Sequence, residues 1–307
     1  MQLMLLRLIR LSAMFFLMFA AAGQAAVTIN DDRGGHTFET IPQRVVVLDW
    51  DLLEQTLSLG ITPAGATETS GYRQWVGLPV LTENVAETGT RAEPNLEKIA
   101  GLKPDVILAG ASQADLIPLL EQIAPVVYLT NFSSADDAAP VAIRHLKTLG
   151  ILFGREQQAD EQLAALTQRF AELSNKLAAV YPPGTRVTVI RFSTLTTVFL
   201  PADNSAVNYV LRNLGLTPAI PLDAQPWGIA QRRINVLQDI GDGYVLWFRP
   251  FPEEKKLADT RLWQAMPFVK QGKINGVAPV WNYGGVSSLQ RMADAITDSL
   301  LEIAPAS

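Results

Sequence analysis

Residues 155–180 read R-E-Q-Q-A-D-E-Q-L-A-A-L-T-Q-R-F-A-E-L-S-N-K-L-A-A-V, and the way this stretch divides the chain decides the fold. It contains no Gly or Pro and is rich in strong helix formers. Its apolar residues Leu163, Leu166, Phe170, Leu173 and Leu177 fall three and four apart, the spacing of one stripe along a continuous amphipathic helix. Gly154 stands before it, and Y-P-P-G (181–184), which cannot continue a helix, stands after it. A single long helix joining two halves acts as a stiff spacer and leaves the cleft between them little hinge motion.

Working outward, the two halves repeat one pattern. R-V-V-V-L-D (44–49) reads as a buried strand, followed by a helix with apolar residues at Leu52, Leu53, Leu57 and Leu59 and a stop at Gly60. Beyond the long helix, R-V-T-V-I-R-F (186–192) and T-T-V-F-L (196–200) read as strands, and N-S-A-V-N-Y-V-L-R-N-L-G (204–215) as a helix. The two helices exit alike, as L-S-L-G-I-T-P-A (57–64) and L-R-N-L-G-L-T-P-A (211–219). A helix and strand at 95–109 have a counterpart at 234–248. Repetition in the same order predicts an α/β protein of two like lobes, 27–154 and 181–307, joined by the helix 155–180, with a ligand cleft between them.

The chain has 307 residues, 48% of them hydrophobic, which is enough for a sizeable core. Its net charge of -5 and the lack of Lys/Arg clusters exclude a nucleic-acid partner. Arg7 and Arg10 precede an apolar run (11–22) that ends in small residues near Ala25 and Ala26. This run is shorter than the roughly 20 residues a membrane helix needs, so residues 1–26 read as a cleaved export signal. There is no cysteine, hence no disulfide, no thiolate metal site and no lipoprotein anchor. The expected product is a soluble periplasmic protein.

Motifs of catalysis are missing: no phosphate-binding loop, dinucleotide fingerprint, nucleophile elbow or H-E-x-x-H occurs. The two histidines, His36 and His145, share no ligand spacing with carboxylates and read as surface or packing residues. Binding candidates are easier to find. Tyr72 and Trp75 lie in G-Y-R-Q-W-V-G (71–77), Trp227 in Q-P-W-G (225–228), and Trp281 and Tyr283 in P-V-W-N-Y-G-G (279–285). Large aromatics on Gly/Pro-rich loops suit an apolar pocket, although each tryptophan would serve as well to plug its own lobe. Arg91 lies in T-G-T-R-A-E-P-N-L-E (88–97), with Pro94 placed for the first helical turn and the arginine just outside it, free to enter the cleft. Its competing role is an ion pair with Glu93 or Glu97. Arg191 and Arg249 end apolar strand runs and could face the same cleft.

The segments T-R-A-E-P-N-L-E (90–97), L-W-Q-A-M-P-F-V (262–269) and P-V-W-N-Y-G (279–284) resemble the periplasmic ferric hydroxamate-binding protein of ABC siderophore importers, a member of the helical-backbone class of solute-binding proteins. The resemblance runs from about Arg44 to the C-terminal helix. It implies a binding protein, not an enzyme, that works as a monomer without a cofactor and meets iron only as the ferric siderophore complex. It implies that Arg91 hydrogen-bonds the iron-chelating oxygens and that Trp75, Trp227, Trp281 and Tyr283, with Tyr72 beside Trp75, line a shallow aromatic cleft. A family tyrosine falls on Gln113, which keeps a donor but loses the ring. Docking on the inner-membrane ABC permease is implied through an acidic residue on each lobe, Glu97 and Asp239. Arg191 and Arg249 would also reward an anionic ferric citrate or catecholate complex. A corrinoid or haem carrier and, further off, a secreted α/β enzyme complete the alternatives.

Overall fold

The computed structural model describes residues 26–305, so the expected export signal lies, but for its last position, outside the described residues. A short antiparallel hairpin, β1 (Val27–Asp31) and β2 (Gly34–Phe38), opens the described chain. The N-terminal lobe follows as a five-stranded parallel sheet of β3 (Val45–Val47), β4 (Gly65–Ala66), β5 (Ala86–Glu87), β6 (Val106–Ala109) and β7 (Val126–Tyr128), in the order β5-β4-β3-β6-β7. The C-terminal lobe holds β8 (Arg186–Phe192), β9 (Thr197–Pro201), β10 (Thr217–Pro218), β11 (Ile229–Arg233), β12 (Tyr244–Phe248) and β13 (Ile274–Val277). Its order is β11-β9-β8-β12-β13 with β10 beside β8; β9 runs antiparallel to both its neighbours, β8 and β11, and the other pairs are parallel.

The helix read from the opening stretch spans Glu156–Ala178, and it does more than separate the lobes. Leu166, Phe170, Leu173 and Leu177 are buried in one hydrophobic cluster that takes side chains from both sheets: Val45, Val47, Val106 and Leu108 on one side, Val187, Val189, Leu246 and Phe248 on the other. The helices Ala138–Leu152 and Val286–Glu302 add Leu146, Leu149, Met292 and Ile296 to the same cluster. Alternate strand residues point the other way, where Val46, Leu48 and Ile107 fill a core of the N-terminal lobe and Ile190, Val245 and Trp247 one of the C-terminal lobe. Burial on both faces is why these strands read as unbroken apolar runs. The segment L-W-Q-A-M-P-F-V belongs to that outer C-terminal core: Trp263, Met266 and Phe268 pack there with Phe192 and Phe251.

The twin helix exits are twin in their hydrogen bonds. After the helix Trp50–Ser58, Gly60 (φ 77°) donates to Leu57 O and Ile61 to Thr56 O; after Ala206–Asn213, Gly215 (φ 77°) donates to Arg212 O and Leu216 to Leu211 O. Both are Schellman caps, where glycine takes the left-handed conformation at least cost. Two details differ from the sequence expectation. Pro94 lies ahead of the helix Leu96–Gly101, whose N-cap is Asn95, accepting from Lys98 N at 2.9 Å. The counterpart at 234–240 is a 3-10 helix (Ile234–Ile240), because its buried residues Ile234, Leu237 and Ile240 recur every three positions, the period of that tighter turn.

His145 lies inside the Ala138–Leu152 helix, buried, with neither ring nitrogen hydrogen-bonded. Burial pulls its pKa from 6.5 down to about 4, with Asp32 and Asp136 opposing and Arg144 adding to the shift. The neutral ring is the folded form, so its contribution is whole above pH 6.5 and is lost as pH falls through about 4, a change of about 3 kcal/mol for a shift of this size. Thermal melts of the protein and of His145→Leu between pH 7 and 4 should show a steeper acid loss in the unsubstituted protein. The other buried titrating groups are common to both, so a parallel pair of curves would refute this account.

Candidate ligand-binding cleft

Parallel strands in both lobes end toward one another, the place where open α/β sheets present ligand-binding loops. Asp49 and Trp50 follow β3, Glu68 follows β4, Arg91 follows β5, Gly110–Gln113 follow β6 and Phe132 follows β7. From the other lobe come Arg191 near the end of β8, the turn Pro226–Gly228, and Trp281 and Tyr283 after β13.

These residues form one continuous string across the cleft. The Arg91 guanidinium lies 3.9 Å from the ring centre of Trp50. Trp50 meets Trp281 edge to face at 5.3 Å, and Trp281 meets Tyr283 at 5.5 Å. Tyr283 then abuts both Phe132 and Trp227, each at 5.8 Å, and those two rings stack at 5.6 Å with planes 7° apart. Trp50 and Phe132 belong to the N-terminal lobe and the other three rings to the C-terminal lobe. A backbone bond from Trp227 N to Phe132 O (2.7 Å) and one from Ala138 N to Asn204 O (3.1 Å) join the lobes beside the stack.

Strain marks the same place. Among the described residues four non-glycine residues have positive φ, and three of them, Glu68 (47°), Phe132 (74°) and Trp227 (62°), stand in the cleft. Each left-handed non-glycine costs on the order of 1–3 kcal/mol, and such residues gather at binding sites.

The charge of Arg91 is balanced locally. Arg91 Nε donates to Glu68 Oε2 at 2.9 Å, and Glu68 Oε1 accepts from Arg91 N at 3.1 Å. The competing role for Arg91 thus exists, but with Glu68 in place of Glu93 or Glu97. At about 30% exposure on both sides the pair is worth about 1 kcal/mol or less, and the Nη donors have no hydrogen-bond partner among the described residues. Beneath it lie two carboxyls. Burial pushes Asp49 up, countered by Arg91, and pushes Asp51 further up, with Asp49 adding to the effect. Burial also raises the Tyr283 hydroxyl, which Arg191 partly offsets from 6.0 Å above the ring.

Of the residues expected to touch ligand, the structure gathers Arg91, Trp227, Trp281, Tyr283 and Arg191. Trp75, 54% exposed, ends the helix Thr69–Trp75 and has no aromatic partner. Two expectations need correction. Tyr72 is fully buried and donates to Pro79 O at 3.1 Å, so it packs the lobe and lines no cleft. Gln113 is also fully buried; its amide is spent on backbone, accepting from Gly110 N (2.8 Å) and donating to Arg91 O (2.5 Å). Arg249, exposed just past the carboxyl end of β12, lies over Trp247 (5.7 Å) and pairs with Glu254 (3.5 Å). Trp50, Phe132 and Glu68 were missed. Trp50 had a signal, since it directly follows a strand at its carboxyl end; Phe132 and Glu68 had none, because their partners are distant in sequence.

The profile of the periplasmic binding protein family matches residues 45–279, and this span decides the matter. The chain belongs to the periplasmic binding protein family. Among curated relatives it is similar to the iron(3+)-hydroxamate-binding protein FhuD of Escherichia coli, 29% identical over 267 residues, covering 86% of this chain and 89% of that one. It is also similar to the Fe(3+) dicitrate-binding periplasmic protein FecB of Escherichia coli, 33% identical over 168 residues, 53% of this chain and 52% of the relative. Among solved structures, the siderophore-binding protein FhuD of Vibrio cholerae, bound to Fe3+-Desferal, superposes with a TM-score of 0.82 at 54% identity, covering 86% of this chain and 99% of that one.

Gln113 thus works as a brace for the Arg91 loop. Gln113→Leu leaves the buried Gly110 N–H and the partly buried Arg91 C=O unpaired and should lower stability by about 2 kcal/mol in urea unfolding, given 1–3 kcal/mol per orphaned buried group. An unchanged midpoint would show that the brace carries no weight.

Proposed function

We propose that this protein captures a ferric siderophore of the hydroxamate class in the periplasm and delivers it to an inner-membrane ABC importer. The observation that carries this reading is the string from Arg91 through Trp50, Trp281, Tyr283 and the Phe132–Trp227 stack, contributed by both lobes. Ferric ion with three hydroxamates is a near-neutral complex, with apolar linkers outside and a shell of acceptor oxygens within. Aromatic faces suit the linkers, and the free Nη donors of Arg91 suit the oxygens. At the Arg91 end of the cleft Glu68 offsets the arginine, which favours a neutral ligand over citrate or catecholate complexes; Arg191 adds one positive charge with no salt-bridge partner among the described residues. FhuD of Vibrio cholerae, with its bound Fe3+-Desferal, supports the same class.

In this reading residues 1–26 are an export signal, 27–154 and 181–307 are the lobes and 155–180 is the link. The protein is a soluble monomer that binds and does not catalyse, without a resident cofactor; iron is cargo. Arg91, Trp227, Trp281, Tyr283, Arg191 and Trp75 contact the ligand. Glu97 and Asp239, both exposed, one on each lobe, meet the permease.

Tryptophan fluorescence tests the ligand class, because the cleft carries its own reporters. A ferric trihydroxamate should quench saturably, and Arg91→Ala should weaken it by about tenfold to a hundredfold, the scale of a lost charge-assisted bond. A response to ferric citrate or a ferric catecholate alone would overturn the hydroxamate reading. Glu97→Lys should leave that titration unchanged while reducing siderophore-dependent iron uptake in cells; a loss of ligand binding would remove Glu97 from the docking surface.

A further inference from the structure

One turn along the helix from Trp50, the lobes are tied by a buried carboxylate. Glu54, in the N-terminal lobe helix Trp50–Ser58, is wholly buried and accepts from Ser288 N and Ser288 Oγ, both at 2.7 Å. Ser288 lies in the first turn of the 17-residue helix Val286–Glu302, so a carboxylate from one lobe satisfies an orphan N–H at the start of a helix packed in the other. Gly284 and Gly285 let this happen: a Cβ at the first would overlap Glu54 Oε2 and one at the second the Gln55 side chain. These glycines directly follow Trp281 and Tyr283.

One turn further along the helix, Arg291 faces Glu54 at 3.9 Å and donates to Ser288 Oγ at 3.0 Å. Two further bonds cross to the N-terminal lobe, Nη1 to Val76 O at 2.9 Å and Nη2 to Leu78 O at 3.0 Å, while Nε is buried with no partner among the described residues. Those carbonyls follow Trp75 immediately. Val76 and Leu81 are buried in the core, but Trp75, Leu78 and Val80 are exposed, so few apolar contacts hold the stretch between those two anchors.

We propose that Glu54 and Arg291 are positioning residues for ligand binding: they set Trp75 on one lobe against Trp281 and Tyr283 on the other, although neither touches ligand. The inference rests on the assignment of those aromatics to the siderophore cleft. Arginine is required, because only a planar fork reaches two carbonyls and the Ser288 hydroxyl together while facing the carboxylate.

A double-mutant cycle separates positioning from mere support. Arg291→Ala should weaken binding of a ferric trihydroxamate about tenfold in the otherwise unchanged protein and by less than about twofold in Trp75→Ala, while its effect on the melting temperature is equal in both backgrounds. Arg291→Lys, which keeps the charge but not the fork, should recover the melting temperature more than the affinity. Equal loss of affinity in both backgrounds, or none in either, overturns the proposal. Hydrogen exchange of the ligand-free protein gives a readout independent of the ligand class: amides of residues 76–80 should exchange faster in Arg291→Ala, and unchanged protection there also overturns it. Absence of trihydroxamate binding by the unsubstituted protein together with faster exchange would instead remove the ligand assignment and leave the clasp standing.

Discussion

The two lobes share one hydrophobic core, and the behaviour of the cleft follows from that. Leu166, Phe170 and Leu173 of the connecting helix are buried with Val45 and Leu108 from one sheet and Val189 and Leu246 from the other. Separating the lobes would expose this apolar surface at about 25 cal/mol per Å², so a wide opening of the kind seen when flexible strands link two domains is opposed by many kcal/mol. The helices Ala138–Leu152 and Val286–Glu302 join the same cluster, so the link is a helical layer and not a lone rod.

A fixed spacing between the lobes puts the selectivity into side chains, and the charges along the cleft show how. Arg91 is answered by Glu68, whereas Arg191 meets only the rings of Phe199 and Tyr283, and the buried carboxyls of Asp49 and Asp51 are held toward their neutral form. An anionic ligand at Arg91 would have to compete with the Glu68 carboxylate already in position. A neutral complex whose chelating oxygens accept hydrogen bonds needs only the Nη donors that Glu68 leaves open.

Much of this could be read from the residues. The helix Glu156–Ala178 declared itself through apolar spacing and the absence of breakers, and L-G-x-T-P-A recurred because both lobes end a helix with the same pair of Schellman bonds. Local chemistry is written locally. Tyr72 and Gln113 were misread for the complementary reason: a polar aromatic or an amide on a loop looks the same whether it faces solvent or bonds a distant carbonyl, and Pro79 O and Arg91 O lie outside any local pattern. Glu54 belongs to that class as well. As a helix residue it resembles a solvated glutamate, and only the fold brings Ser288, 234 positions away, to its carboxylate.

The strained residues complete the argument. Glu68, Phe132 and Trp227 hold left-handed backbone that relaxed side chains avoid, and each places a group in the string across the cleft: the carboxylate on Arg91 and the two stacked rings. A chain with a small core could not hold three such residues at about 1–3 kcal/mol each. This one can, because the layer behind the cleft is continuous and the loops are tied across it by Trp227 N to Phe132 O. The cost is met during folding, before ligand arrives, so little ordering remains to be done at binding. A shallow site with few contacts can then hold a large complex, since rigidity supplies what wide closure supplies in hinged proteins.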